Sequence, residues 1–328
     1  MDSSNISLIL KALLAIFLGS VGVIAVFYGL NILVEKFLPE RARLKVLPWI
    51  YVGPAMLLLT VYLVLPAIRT FYLSFFSYNS EEFVGLKNYI FVLTAPDTLI
   101  TFRNNLLWLV LVTGISVTLG LIIAVLIDRV KYESLAKSLI FLPMAISFVG
   151  ASVIWRFIYA YRPEGAEQIG VLNAIVTGLG FEPVGWLVNP AINNFALIAI
   201  MIWLQTGFCM VLLSSAVKGV PDDVLEAARV DGATEIQIFR RIIVPMIMPT
   251  VLVVSTTVIV LVLKVFDIVF VMTGGNLGTD VIASRMIREM FNFRNYGRGS
   301  AIAVILLLAV IPVMVANIRR FRQQELDR

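Results

Sequence analysis

The chain has 328 residues, of which 60% are hydrophobic and 14% charged, with a formal net charge of +5. Soluble domains run at about 45–50% apolar and about 25% charged. A soluble core of this length could not hide so much apolar side chain, so the composition excludes a soluble, a disordered or a disulfide-stapled chain and points to an all-α, polytopic membrane protein. There is no histidine, which removes imidazole-based triads, relays and zinc sites. The basic balance, with a pI near 9.3, would suit nucleic acid in a soluble protein. In a membrane protein it reflects Lys and Arg in cytoplasmic loops, and no nucleic-acid partner is expected.

A spanning helix needs about 20 predominantly apolar residues. Seven stretches qualify: 12–34, 48–76, 106–127, 138–160, 195–217, 246–272 and 300–318. The first reads as a retained helix and not a cleaved leader. No basic residue occurs in Met1–Leu10, the apolar run is too long, and no small-residue cleavage site follows. The single cysteine, Cys209, lies in the fifth apolar run, where it reads as a small packing residue. The connections are short. The longest is 161–194, a Gly-rich stretch with no room for a soluble domain.

Basic residues set the orientation. Connections 35–47, 128–137, 218–245 and 319–328 carry 15 Lys and Arg, against 8 in 1–11, 77–105, 161–194 and 273–299. This places the first set in the cytoplasm, with the N-terminus outside and the C-terminus inside. The four arginines Arg285, Arg288, Arg294 and Arg298 on the outer side run against the bias without reversing it.

One cytoplasmic connection has structure of its own. Residues 218–249 read KGVPDDVLEAARVDGATEIQIFRRIIVPMIMP. Pro221 suits a first helical turn, and Asp222 and Asp223 suit the positive end of the helix dipole. Gly232 ends this helix, being free to take positive φ. Thr234 and Gln237 have capping-box spacing for a second short helix, and Pro245 is expected to stop it. A helix, a sharp turn and a helix between two spans read either as a docking element for a partner or as an interfacial helix that packs locally.

This connection resembles the signature of permease subunits of bacterial binding-protein-dependent ABC importers: Glu226-Ala227-Ala228, then Asp231-Gly232-Ala233, Phe239, Ile242 and Val244-Pro245 at the family spacing. Val244 stands where the family usually has Leu. The resemblance extends to 48–76 with Pro54, Pro66 and the ending LSFF, to FLPMAISFVGASVIWRFI at 141–158, and to FDIVFVMTGG at 266–275. It most resembles the maltose and α-glucoside permeases. It implies three segments: an additional helix and linker at 1–47, an importer core at 48–320 whose coupling loop is 218–245, and a tail at 321–328. It also implies a place in the lipid bilayer of the bacterial inner membrane and three kinds of partner: a second permease subunit, two copies of a cytoplasmic ATPase, and an extracytoplasmic sugar-binding protein. ATP and Mg would belong to the ATPase, since the chain has no G-x-x-x-x-G-K-[ST] loop. Glu226, Ala227, Ala228, Asp231, Gly232, Ala233, Phe239, Ile242 and Pro245 would then form the coupling element. The chain would carry a sugar and break no bond in it.

Polar residues within spans are candidates for the transport path. In 195–217 these are Trp203, Gln205, Thr206 and Phe208, a hydrogen-bonding amide among rings that could stack on a sugar. In 246–272 they are Thr256 and Thr257. Lys264 and Asp267, three residues apart, are expected to form an ion pair, and Trp155 and Arg156 to anchor at the outer interface. An ion-coupled secondary transporter would instead need acids at the midplane, and the only acid well inside a span is Asp267, near its edge. A membrane-embedded transferase would need a carboxylate cluster at a membrane face. Within the importer class, a di- or oligosaccharide or a glucoside is favoured, with a polyol or glycerol phosphodiester as the alternative.

Overall fold

A computed structural model describes residues 3–128 and 130–326. The expected segments 1–47, 128–137 and 321–328 therefore each include residues outside that set. The chain divides into two compact units, Met1–Arg69 and Thr70–Arg328, and among the described residues it is helical throughout, apart from one isolated bridge between Phe76 and Phe83. Among the described residues six helices are long and apolar enough to cross a membrane, with a seventh if one bent pair counts as a single span.

The first unit contains α1 (Ser3–Phe37) and α2 (Glu40–Leu59). The expected cytoplasmic loop 35–47 is almost entirely helical, and only Leu38 and Pro39 separate the two helices. Proline fixes its own φ and disfavours helix in the residue before it, so the chain breaks there and restarts at once. The ring of Phe27 stacks on Tyr51 at 5.7 Å, and Arg43 pairs with Glu35 at 3.2 Å. Beyond α2 the helix widens into a π-turn at Thr60–Val64 and continues as α3 (Leu65–Leu73).

The second unit is built around α5 (Pro96–Ile127) and α9 (Asn193–Lys218). Two thirds of the most apolar window of α9 is buried. Trp108, Val112, Leu197, Met201, Leu204, Cys209, Met210 and Leu213 form the centre of its core. The two helices touch at backbone distance: a Cβ on Gly120 would lie 2.5 Å from Cys209 Cβ. Short helices fill the longer connections: α4 (Lys87–Thr94), α8 (Val171–Gly178) and α14 (Ile282–Ile287). The last span is α15 (Tyr296–Leu326). Near it the buried Glu289 carboxylate pairs with Arg285 at 2.9 Å. Asp280, buried in the connection before α14, has its carboxyl raised above the usual range by burial, against the pull of Ser284, Arg288 and Arg285.

Two expected spans are not single helices. The stretch 138–160 is broken: α6 (Glu133–Phe141) runs into a 3₁₀ turn at Leu142–Ala145, and α7 (Phe148–Ile158) leaves at 100°. Pro143 lacks the N–H that would continue the helix. Ser147 restarts it, its Oγ accepting from the Gly150 N–H at 3.1 Å. The stretch 246–272 is also broken, into α12 (Val244–Leu263) and α13 (Asp267–Thr273). No Pro or Gly marks this break. The core takes Val262, Leu263, Val265, Ile268 and Val269 together, and these would spread over roughly 220° of an ideal helix, too wide for one face.

Candidate functional site

The connection between α9 and α12 folds as α10 (Asp222–Val230), a turn, and α11 (Glu235–Ile238). Pro221 stands one place earlier than expected, at the N-cap. Gly232 follows the C-cap residue Asp231 with φ of +80°, and a Cβ placed on it would meet nothing within 4 Å. Thr234 and Gln237 form the full reciprocal capping box. Arg229 reaches across the turn to Glu235 at 3.0 Å. Leu225, Ala228, Ala233 and Phe239 rest against the core, while Glu226, Ala227, Asp231 and Gly232 face outward. Val230 is 87% exposed. The element is fixed on one side and bare on the other.

Pro245 does not stop the second helix. A π-turn at Phe239–Ile243 carries α11 into α12, giving one continuous apolar span, Glu235–Leu263. Pro245 has no N–H for the Arg241 carbonyl and its ring would crowd that oxygen. The wider turn opens the helix there, and the same arrangement precedes Pro66, where the π-turn also ends two residues before the proline. Ile242 is half-buried in this wide turn, and Pro245 is exposed just after it.

A cavity of about 500 Å³ lies where the 100° bend, α9, α12 and α13 meet. That volume falls within the range of roughly 300–1,000 Å³ usual for small-molecule sites. Its apolar walls are Met144, Ile146, Phe148, Val149, Leu204, Phe208 and Leu261, with Ser147, Gln205, Thr257 and Asp267 supplying polarity. Of the six expected path residues, Gln205, Phe208 and Thr257 line this cavity. The other three do not. Trp203 packs edge-on against Trp155 at 5.8 Å. Thr206 donates to the Ile202 carbonyl, and Thr256 to those of Leu252 and Val253. Arg156 bonds the Val271 carbonyl at 3.2 Å.

Lys264 and Asp267 form no ion pair: the break at 264–266 separates them, leaving Lys264 exposed and Asp267 half-buried at the cavity wall. Sequence reading missed the bend as a cavity wall, although Pro143 and Ser147 together signal it. It also missed Asp267 as a lining residue. Only the position of the break in the fold reveals that.

A multi-pass bundle with an exposed helix–turn–helix and, between its spans, an apolar pocket carrying a few polar side chains defines the membrane-spanning subunit of a transporter. The chain belongs to the family described as binding-protein-dependent transport system inner membrane component, which residues 116–324 match; it is a permease of the ABC importer type. It is 73% identical over 275 residues to the osmoprotective compounds uptake permease protein GgtC of Synechocystis sp., covering 84% of this chain and 99% of that one. It is 45% identical over 324 residues to the alpha-glucoside transport system permease protein AglF of Rhizobium meliloti, covering 95% and 96%. In fold it is similar to a bacterial ABC transporter involved in the import of the acidic polysaccharide alginate, at a TM-score of 0.74 and 22% identity, covering 86% of this chain and 99% of that one.

Proposed function

We propose that this chain imports a small, neutral glycoside, in an ATP-driven complex with a second permease subunit, two copies of a cytoplasmic ATPase and an extracytoplasmic binding protein. The observation that carries this reading is connectivity. The two helices that give the cavity Gln205, Phe208 and Thr257 are α9 and α12, and the protruding α10–Gly232–α11 turn joins them. Motion of a docked ATPase would pass directly into the cavity walls. ATP and Mg would be held by that ATPase, and α10 would enter its groove. Closure of the ATPase pair would switch the bundle between inward and outward access as a rigid-body change. No bond of the substrate need break.

The substrate class rests on the names of the two relatives and on the cavity, which no cationic side chain lines. Phe148 and Phe208 offer ring faces for a sugar's apolar side, and four polar side chains offer partners for hydroxyls. The basic asymmetry supports a cytoplasmic C-terminus and an outer connection at 161–194. The test is uptake of labelled methyl α-glucoside into membrane vesicles carrying the whole complex. We expect uptake that requires ATP and survives collapse of the ion gradients. Uptake that follows an ion gradient without ATP would establish a secondary transporter instead. Topology reporters after Gly165 and at the C-terminus should fall on opposite sides of the membrane.

A further inference from the structure

Four polar side chains line the cavity, and two of them are already engaged: Ser147 caps α7, and the Thr257 hydroxyl donates to the Val253 carbonyl at 2.9 Å. The other two are not. Among the described residues, neither the Gln205 amide nor the Asp267 carboxylate has a hydrogen-bond or ion-pair partner. Gln205 is 4% exposed. Neither is sealed from solvent: the amide of this nearly buried residue and the half-buried carboxylate both open to the cavity. Polar groups inside a protein are ordinarily satisfied, so two without partners in the chain, facing one cavity, mark places left for a ligand. Asp267 is also the only charged side chain in the lining.

Resting on the reading of the chain as a glycoside permease, we propose that Asp267 is a specificity-determining residue: its carboxylate accepts hydrogen bonds from sugar hydroxyls, beside Gln205. An ionised carboxylate offers two acceptor oxygens and no donor. Such a group fits adjacent hydroxyls, which can donate to both oxygens. It forms charge-assisted bonds that are stronger than neutral ones, and it repels an anionic substrate. The break at Lys264–Phe266 is what turns Asp267 to the cavity; in an unbroken helix it would face Lys264.

A structural role for Asp267 competes with this, because the residue opens α13. Asp267→Asn keeps its shape and its fitness for a helix start, and Lys264→Gln removes only the neighbouring charge. In vesicles carrying the whole complex, uptake of labelled methyl α-glucoside and of its monodeoxy analogues should be measured for wild type and each variant. We expect Asp267→Asn to raise the half-saturation concentration at least tenfold at a normal membrane level. Asp267→Glu should recover part of the loss, and Lys264→Gln should match wild type. Removing one particular hydroxyl should harm wild type more than Asp267→Asn. The proposal falls if Asp267→Asn transports normally, if its loss is equal across every deoxy analogue, or if Lys264→Gln reproduces it. If wild type takes up no methyl α-glucoside, the glycoside reading itself falls, and the assignment of Asp267 falls with it.

Discussion

Gly232 lets the cost of a turn be separated from the cost of a blocked surface. Its φ of +80° lies where a Cβ is strained, by about 1–2 kcal/mol for most residues, with Asn among the exceptions. The space around it is open: no atom of the chain lies within 4 Å of an added Cβ. Within this subunit, Gly232→Ala should therefore cost about 1–2 kcal/mol and Gly232→Asn less. The cost should show as a Tm of the purified chain lowered by about a few degrees at most, less for Asn than for Ala. If the bare side of the turn seats in an ATPase groove, the order reverses in function. Bulk and charge then matter more than φ, so Ala retains more transport than Asn, and Gly232→Asp loses nearly all of it. The assay is co-purification of the ATPase subunit together with ATP-driven uptake in vesicles, at matched membrane levels. Normal association and uptake in Gly232→Asp would refute the docking assignment. An order that followed φ strain alone would reduce Gly232 to a local turn residue.

Other substitutions probe the cavity and the packing. Gln205→Ala should leave stability intact, since the amide has no partner in the chain. It should lower uptake by about 5- to 150-fold, the equivalent of about 1–3 kcal/mol for a stranded polar group; unchanged uptake kinetics would place the substrate elsewhere. Thr257→Val should reduce uptake, whereas Thr256→Val should not: both hydroxyls donate to carbonyls of their own helix, but only Thr257 lines the cavity, where its oxygen can still accept; equal losses would contradict the placement of the cavity wall. Gly207→Ala would set a Cβ 2.4 Å from the Ile140 carbonyl oxygen and 2.8 Å from Phe141 Cα. Overpacking of this kind costs about 1–3 kcal/mol, and a lowered Tm in detergent should show it.

The number of spans was legible in composition because lipid demands about 20 apolar residues for each crossing. The helix–turn–helix was legible because its parts are local: Pro221, the acidic first turn, Gly232 and the Thr234–Gln237 box each act within four residues. The two broken spans were less legible. Pro143 signalled the first break, but hydropathy ran through it. The second break carries no local signal, being imposed by burial of residues on both sides of it. The ion pair expected at Lys264 and Asp267 failed for that reason, as helical spacing holds only where there is a helix. Rotational phase could not be read either. Periodicity placed Thr256 and Thr257 in one polar group, yet only one of them faces the cavity.

That phase is set at Phe239–Ile243. A π-turn holds one residue more than the α-helix it interrupts, and each residue turns a helix by about 100°. Everything from Val244 to Leu263 is thus rotated by about a quarter turn or slightly more relative to an uninterrupted continuation of α11. Removing the extra residue would carry Thr257 off the cavity and bring a neighbouring position round in its place. The wide turn begins one residue after the capping box, so the segment proposed to dock also sets the rotation of the helix that gives Thr257 to the cavity, like the keyed collar of a shaft. A one-residue deletion or insertion within 239–243 would leave composition, hydropathy and span length almost untouched, and would exchange the side chains offered to the cavity.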